Sequence, residues 1–213
     1  MIHRIFLIAG ILAVVAIPLG TRTLLHSFTP GFHEYEAVFF YVSDIALVLF
    51  ITLFLKTSWR KALGKKKEII FLVLFLIFAA GSIIFTLDPG LGWYSFARLL
   101  VAVVFAFAIA RMTENTVWRR TIFFVLAVLA VGEGVVALLQ FRAQGDIGLS
   151  LVGESPIGAL MPGTAKAILG DARVVRAYGT FPHPNVLGAF LLIGLSALYY
   201  AWFVMRIPHL TVT

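Results

Sequence analysis

Apolar residues run through this chain in blocks rather than stripes. Residues 5–20, 37–55, 69–87, 93–110, 122–141 and 186–205 are nearly unbroken stretches dominated by Ile, Leu, Val, Phe and Ala. Neither the alternation of a half-buried strand nor the narrow stripe of a surface helix fits them. A helix that is apolar all round belongs in lipid, and crossing the hydrocarbon takes roughly 20 residues. The pattern predicts an all-α, polytopic integral membrane helix bundle of about six transmembrane helices. Residues 1–141 form a five-span region, 142–185 a long extracytoplasmic loop, and 186–213 a sixth span with a short tail. His3 and Arg4 before the first block would suit a signal peptide. The exit Ala16-Ile17-Pro18-Leu19-Gly20 lacks a small-x-small cleavage pattern, however, and reads as the end of a retained span.

Composition agrees. The chain is 61% hydrophobic and 13% charged with a mean hydropathy of +1.01, which excludes an ordinary soluble domain. A net charge of +7 in a soluble protein would point to nucleic acid. Here the cations lie between apolar blocks, where topology and anionic headgroups account for them, so no nucleic-acid partner is expected. With the N-terminus inside, the cytoplasmic side collects eleven of the 17 Lys and Arg residues, among them the Lys65–Lys67 anchor. The other side receives Arg22, Arg98, Arg142, Lys166, Arg173 and Arg176. Both termini are therefore expected in the cytoplasm. The chain has no cysteine, so disulfides and thiolate metal sites are excluded. Neither a metal nor a cofactor is expected.

The loop carries Ile147, Leu149, Leu151, Val152, Ile157, Leu160, Met161, Ile168 and Leu169, and is too apolar for a solvated tail. Gly153, Pro156, Gly158, Pro162 and Gly163 divide it. The expectation is short helices at the outer membrane surface, one capped by Thr164. No internal repeat is visible, which argues against transporters built from inverted halves.

Three ionisable residues fall inside the apolar blocks: Asp44, Arg98 and Glu133. Their spacing from the outer block ends places them roughly 8–12 Å deep. An intramembrane charge costs about 2.5–3.5 kcal/mol, so each is expected to face the interior and find a partner. Asp44 and Arg98 lie at matching depth and are expected to pair. Glu133 sits between Gly132 and Gly134, where another backbone can approach. Together the three predict a polar cavity beneath the loop.

The least lipid-like run is RVVRAYGTFPHPN, Arg173 to Asn185, immediately before the last block. Arg173 and Arg176 would share a face on a helix. Guanidinium groups bind phosphate oxygens bidentately. Pro182 and Pro184 stiffen the entry, and Asn185 is expected to cap the last span with first-turn N–H groups directed outward. His183 adds an imidazole. These residue types predict a phosphate site at the outer membrane face, for which bilayer lipids and a substrate are both candidate ligands.

The block Arg176-Ala-Tyr-Gly-Thr-Phe-Pro-His-Pro-Asn185, followed by Val-Leu-Gly-Ala-Phe-Leu, resembles the signature of the O-antigen ligase and polymerase family. Leu139-Gln140-Phe141, Gly148, Gly153-Glu154-Ser155, Glu34-Tyr35-Glu36 and Tyr41-Val-Ser-Asp44 resemble its other segments. The resemblance implies a bacterial inner-membrane glycosyltransferase that moves a glycan from undecaprenyl pyrophosphate to a lipid or glycan acceptor, without a metal or cofactor. Arg176 matches a motif arginine proposed to neutralise the pyrophosphate, whereas Arg173 has no such match. The histidine implied to activate the acceptor lies in a later outer loop of the family. His183 is not its counterpart, and His209 falls on the cytoplasmic side. The sequence stops at Thr213, where the family continues, and so reads as the N-terminal part of a ligase, without the later part implied to carry the catalytic histidine. The alternatives are a polymerase of the same family, a transporter or flippase, and a non-catalytic lipid-phosphate-binding subunit.

Overall fold

Caps and prolines decide where the apolar blocks become helices. The computed structural model describes residues 2–28, 36–57 and 66–205. Asp88 accepts hydrogen bonds from the N–H groups of Gly90 and Leu91, and Pro89 follows it with its φ already helical. The helix α4 therefore starts at Pro89 and runs to Met112. Asn115 caps α5, Thr116–Ala143, in the same way through the N–H of Val117. The last helix is α6, Pro184–Met205. Among the described residues three helices, Pro89–Met112, Thr116–Ala143 and Pro184–Val204, are long and apolar enough to cross a membrane.

The other three expected spans are shorter among the described residues. The helix α1 covers Ile2–Ala16, α2 Val42–Thr57 and α3 Lys66–Ser82, at 15, 16 and 17 residues. Pro18 disfavours a helical Ile17 and has no N–H to give, so α1 stops early. The first five residues expected in the second span form a strand instead. That strand, β2 (Ala37–Tyr41), pairs antiparallel with β1 (Arg22–Ser27). Its Val and aromatic residues favour an extended chain, and the pairing satisfies backbone groups that α2 does not.

The loop also departs from expectation. It contains a second hairpin, β3 (Lys166–Leu169) with β4 (Ala172–Val175), and a single 3₁₀ turn at Ser150–Val152. Thr164 caps no helix; its hydroxyl accepts from the N–H of Gly158, and strand β3 follows. Among the described residues the fold is thus mostly helical, with two small two-stranded sheets beside the helices. Both hairpins belong to one end of the bundle, here called the loop face. Val42 N–H donates to Thr21 O at 3.0 Å, and Gly20 N–H to Val152 O at 3.1 Å, tying α1, α2 and the loop together there.

Two apolar cores hold the helices. Phe6 of α1, Phe50 and Phe54 of α2, Met112 of α4 and Ile122 of α5 form the first. Ala130 of α5 packs with Phe181, Leu187 and Phe190 in the second. Away from the loop face, Arg119 Nε donates to the Tyr200 hydroxyl at 3.2 Å, and the Phe123 and Tyr200 rings pack tilted with centroids 4.3 Å apart. Gly194 sets the spacing of α5 and α6: a Cβ there would lie 2.0 Å from the Cβ of Ala130.

Gly194→Ala is therefore expected to lower stability by about 1–3 kcal/mol through overpacking. Gly188→Ala, on the same helix with nothing within 4 Å of the added carbon, is expected to be neutral. Thermal unfolding of the two variants in detergent tests the contrast.

Candidate functional site

The Arg173–Asn185 run is held from below by two side chains of α5. Gln140 is fully buried. Its Oε1 accepts from the N–H groups of Tyr178 and Gly179 at 2.9 and 2.8 Å. Its Nε2 donates to the Gly179 carbonyl at 2.9 Å and to Glu154 Oε1 at 2.8 Å. Glu133 lies two helical turns earlier on the same face. Its Oε2 accepts from the Thr180 N–H at 3.0 Å, and its Oε1 lies 2.7 Å from the Thr180 hydroxyl. That hydroxyl also contacts the Pro18 carbonyl.

Space at this crossing requires glycine. Gly179 has φ +61°, and a Cβ there would stand 2.3 Å from Glu133 Oε2. At Gly20 an added Cβ would meet the Thr180 carbonyl oxygen at 2.1 Å. The exit of α1, the loop near Gly153 and the motif thus cross in backbone contact. Buried Glu154 completes the crossing by accepting from the N–H of Ile147 at 2.8 Å and from that of Leu149. Above it, the Tyr178 hydroxyl accepts from Ala165 N–H at 2.8 Å, and Gln144 Oε1 accepts from Val175 N–H at 2.7 Å.

The arginines do not share a helix face. Arg173 is exposed on β4, opposite Ile168. Arg176 follows the strand, and its backbone N–H donates to Ala165 O at 3.0 Å. The hairpin forms because the Gly170-Asp171 pair supplies a two-residue turn, with Gly170 at φ +61°. The Arg176 Nη2 donates to Asn185 Oδ1 at 2.9 Å.

Asn185 is not the cap of α6. The cap is His183, whose Nδ1 accepts from the Asn185 N–H at 3.1 Å, while its carbonyl accepts from Val186 and Leu187. Pro184 has no N–H, so the first-turn groups expected to face an anion are already bonded. Guanidinium, not the helix end, is the cationic element here.

The structure brings Asp44 and Arg98 together and leaves Glu133 elsewhere. Arg98 Nη1 donates to Asp44 Oδ1 at 2.6 Å. Asp44 is not seven residues inside a span, because α2 begins at Val42. It sits in the first turn, where Oδ2 accepts from the Tyr41 N–H at 3.0 Å. The pair lines a cavity of about 300 Å³ among α1, α2 and α4. Glu133 does not line it, so the single three-charge cavity is replaced by an ion pair and a separate backbone clamp. Gly132 and Gly134 have nothing within 4 Å of a built Cβ; the approaching backbone meets the Glu133 carboxylate instead.

Sequence reasoning assigned no chemistry to Gln140, Glu154 or Thr180. Among the described residues, no group of three or more His, Asp or Glu side chains could hold a metal ion. Glu34, Tyr35, Lys65 and His209 lie outside the described residues. No protein-family model, curated protein or solved structure matches the chain.

Gln140→Leu would leave three backbone groups of Tyr178 and Gly179 buried without a partner, at on the order of 3 kcal/mol or more. Hydrogen exchange is expected to accelerate at the amides of Tyr178, Gly179 and Thr180, with those of β1 and β2 unchanged. For the ion pair, Asp44→Arg or Arg98→Asp alone is expected to cost about 2 kcal/mol. The double reversal recovers only part of that, because no carboxylate then accepts the Tyr41 N–H. Unfolding midpoints of the three variants check this order.

Proposed function

We propose that this chain is the phosphate-binding part of an O-antigen ligase-like glycosyltransferase in a bacterial inner membrane. In this reading the bundle spans six times, both termini are cytoplasmic, and the loop face is the outer one. The ligand is a glycan carried on undecaprenyl pyrophosphate, and the acceptor is a lipid.

One observation carries the reading. Arg176 has its guanidinium held by Asn185 at 2.9 Å, and the backbone two to four residues on is clamped by Gln140 and Glu133. A cation fixed in this way needs no reorganisation when charge develops on a departing pyrophosphate. Only one of its nitrogens is engaged by Asn185, and the planar fork retains further donors for phosphate oxygens. Arg173, exposed on β4, is a secondary contact that attracts the anion from solvent. His183 shapes the site; its Nδ1 is committed to the Asn185 N–H. The base that deprotonates the acceptor hydroxyl is left unassigned.

A carrier would need its buried charges to load and release a solute. Asp44 and Glu133 instead hold backbone N–H groups, which favours a fixed binding face over transport. A polymerase would use the same donor chemistry and differ in its acceptor.

Binding of undecaprenyl pyrophosphate to the full chain in phosphatidylcholine nanodiscs tests the proposal. Arg176→Ala is expected to weaken binding by about tenfold or more, and Arg176→Lys by an intermediate factor, because a point charge replaces the planar fork. Arg173→Ala is expected to change affinity by less than about threefold, as a screened surface charge does. An Arg176→Ala affinity equal to wild type would sink the reading.

A further inference from the structure

The cavity of about 300 Å³ at the Asp44–Arg98 pair has no part in the phosphate site, for neither Arg176 nor Asn185 lines it. Its volume is at the lower end of the roughly 300–1,000 Å³ of small-molecule sites. That is room for a headgroup rather than a whole lipid.

Its lining is sorted along the helix axes. The helix α2 begins directly after strand β2 of the loop face, and it contributes Ser43 and Asp44 from its first turn, then Leu47 one turn further on. The helix α4 runs away from the same face, since Tyr94 near its start is bonded to Phe39 of β2. It contributes Arg98 first, then Val101, Ala102 and Phe105. The wall from the α1 side, Ala13 and Ile17, is apolar throughout. On α2 and α4 the polar groups therefore stand nearer the loop face and hydrocarbon follows. A phospholipid at a membrane surface has the same order, with its charged head above its acyl chains.

The ion pair selects among heads. Asp44 accepts from Arg98 through Oδ1 and from the Tyr41 N–H through Oδ2, and a carboxylate has lone pairs for further donors. Arg98 gives Asp44 one N–H of the five that a guanidinium carries. The two side chains stay 14% and 40% exposed, so a ligand can reach both. A phosphate alone would be repelled by Asp44, and an amine alone by Arg98. A head carrying a phosphate and a primary ammonium satisfies both, with oxygens on the guanidinium and N–H groups on the carboxylate. A choline head has the same charges but no N–H to donate, and a glycerol head has no cation.

We infer that this cavity holds the head of a phosphatidylethanolamine molecule, with its phosphate on Arg98 and its ammonium on Asp44. The start of an acyl chain then lies along Leu47, Val101 and Phe105. The assignment rests on the loop face lying at a bilayer surface, and it is independent of the transferase chemistry because no residue of the Arg176 site takes part.

The test titrates the full chain, delipidated in detergent, with phosphatidylethanolamine, phosphatidylcholine and phosphatidylglycerol of identical acyl chains, and counts bound lipid by native mass spectrometry. Phosphatidylethanolamine is expected to bind about tenfold more tightly than either, the size of one charge-assisted hydrogen bond. Asp44→Asn keeps an acceptor for the Tyr41 N–H but removes the charge, and is expected to cut the preference over phosphatidylcholine below about threefold. Ala102→Trp fills the cavity from an exposed wall position with the ion pair intact, and is expected to abolish the preference. Equal affinities of the three lipids for wild type, or a preference that survives both variants, overturns the site. Glycerophosphoethanolamine, the same head without chains, separates a lipid from a soluble zwitterion. It is expected to bind at least about tenfold more weakly than the lipid, since it buries no hydrocarbon, and an affinity equal to the lipid's overturns the lipid assignment. Undecaprenyl pyrophosphate is absent from these titrations, so their failure and that of the Arg176 test are read separately.

Discussion

The loop face depends on one buried amide. Gln140 offers two acceptor lone pairs and two donor hydrogens at the end of a membrane-length helix, and all are used within the protein. A turn such as Tyr178-Gly179-Thr180 cannot enter a bundle unless its N–H and C=O groups are bonded, because nothing there replaces water. A carboxylate at position 140 would accept but could not donate, and a lysine would do the reverse. The neutral amide does both without the desolvation cost of a charge. Once it holds Tyr178 and Gly179, the positions of Thr180, Pro18 and Gly20 follow by contact. The entry to α6 is fixed at the same stroke.

Charged residues then take a different part from the one their depth suggests. Asp44, Glu133 and Glu154 each receive a backbone N–H, and each ties a non-helical segment to a helix or to itself. These carboxylates, buried at Glu133 and Glu154 and half-buried at Asp44, terminate backbone and share no common cavity. Arg98 completes Asp44 and carries its influence to the Tyr41 ring. The result is a loop face held by hydrogen bonds, which a bundle of apolar helices could not otherwise support.

The apolar blocks were legible because membrane helices are specified by composition over some twenty positions, a signal that tolerates local detail. The strands were harder. Ala37-Val-Phe-Phe-Tyr41 is as apolar as any span, and only its β-branched and aromatic content separates strand from helix. Counting it into the span also made Asp44 look deep. Gly170-Asp171 between Lys-Ala-Ile-Leu and Ala-Arg-Val-Val was a readable hairpin turn, and it removes the helix face assumed for Arg173 and Arg176. Gln140 gave no such signal. Its partners lie about 39 residues away in sequence, and a neutral polar residue near a helix end is ordinary until the fold closes over it.

Closing the first turn of α6 has a chemical consequence. An open helix N-terminus attracts any anion through its free N–H groups and dipole, with little regard for geometry. His183 removes that option by accepting from Asn185 through its ring and from Val186 and Leu187 through its carbonyl. In the proposed site the anion is met chiefly by Arg176, a planar fork held by Asn185 rather than a diffuse positive field. Such a fork discriminates by shape, favouring two coplanar oxygens at fixed separation over a single charge. In a bilayer crowded with headgroups, selectivity of this kind matters more than attraction. The capping histidine is thus a specificity element of the proposed phosphate site.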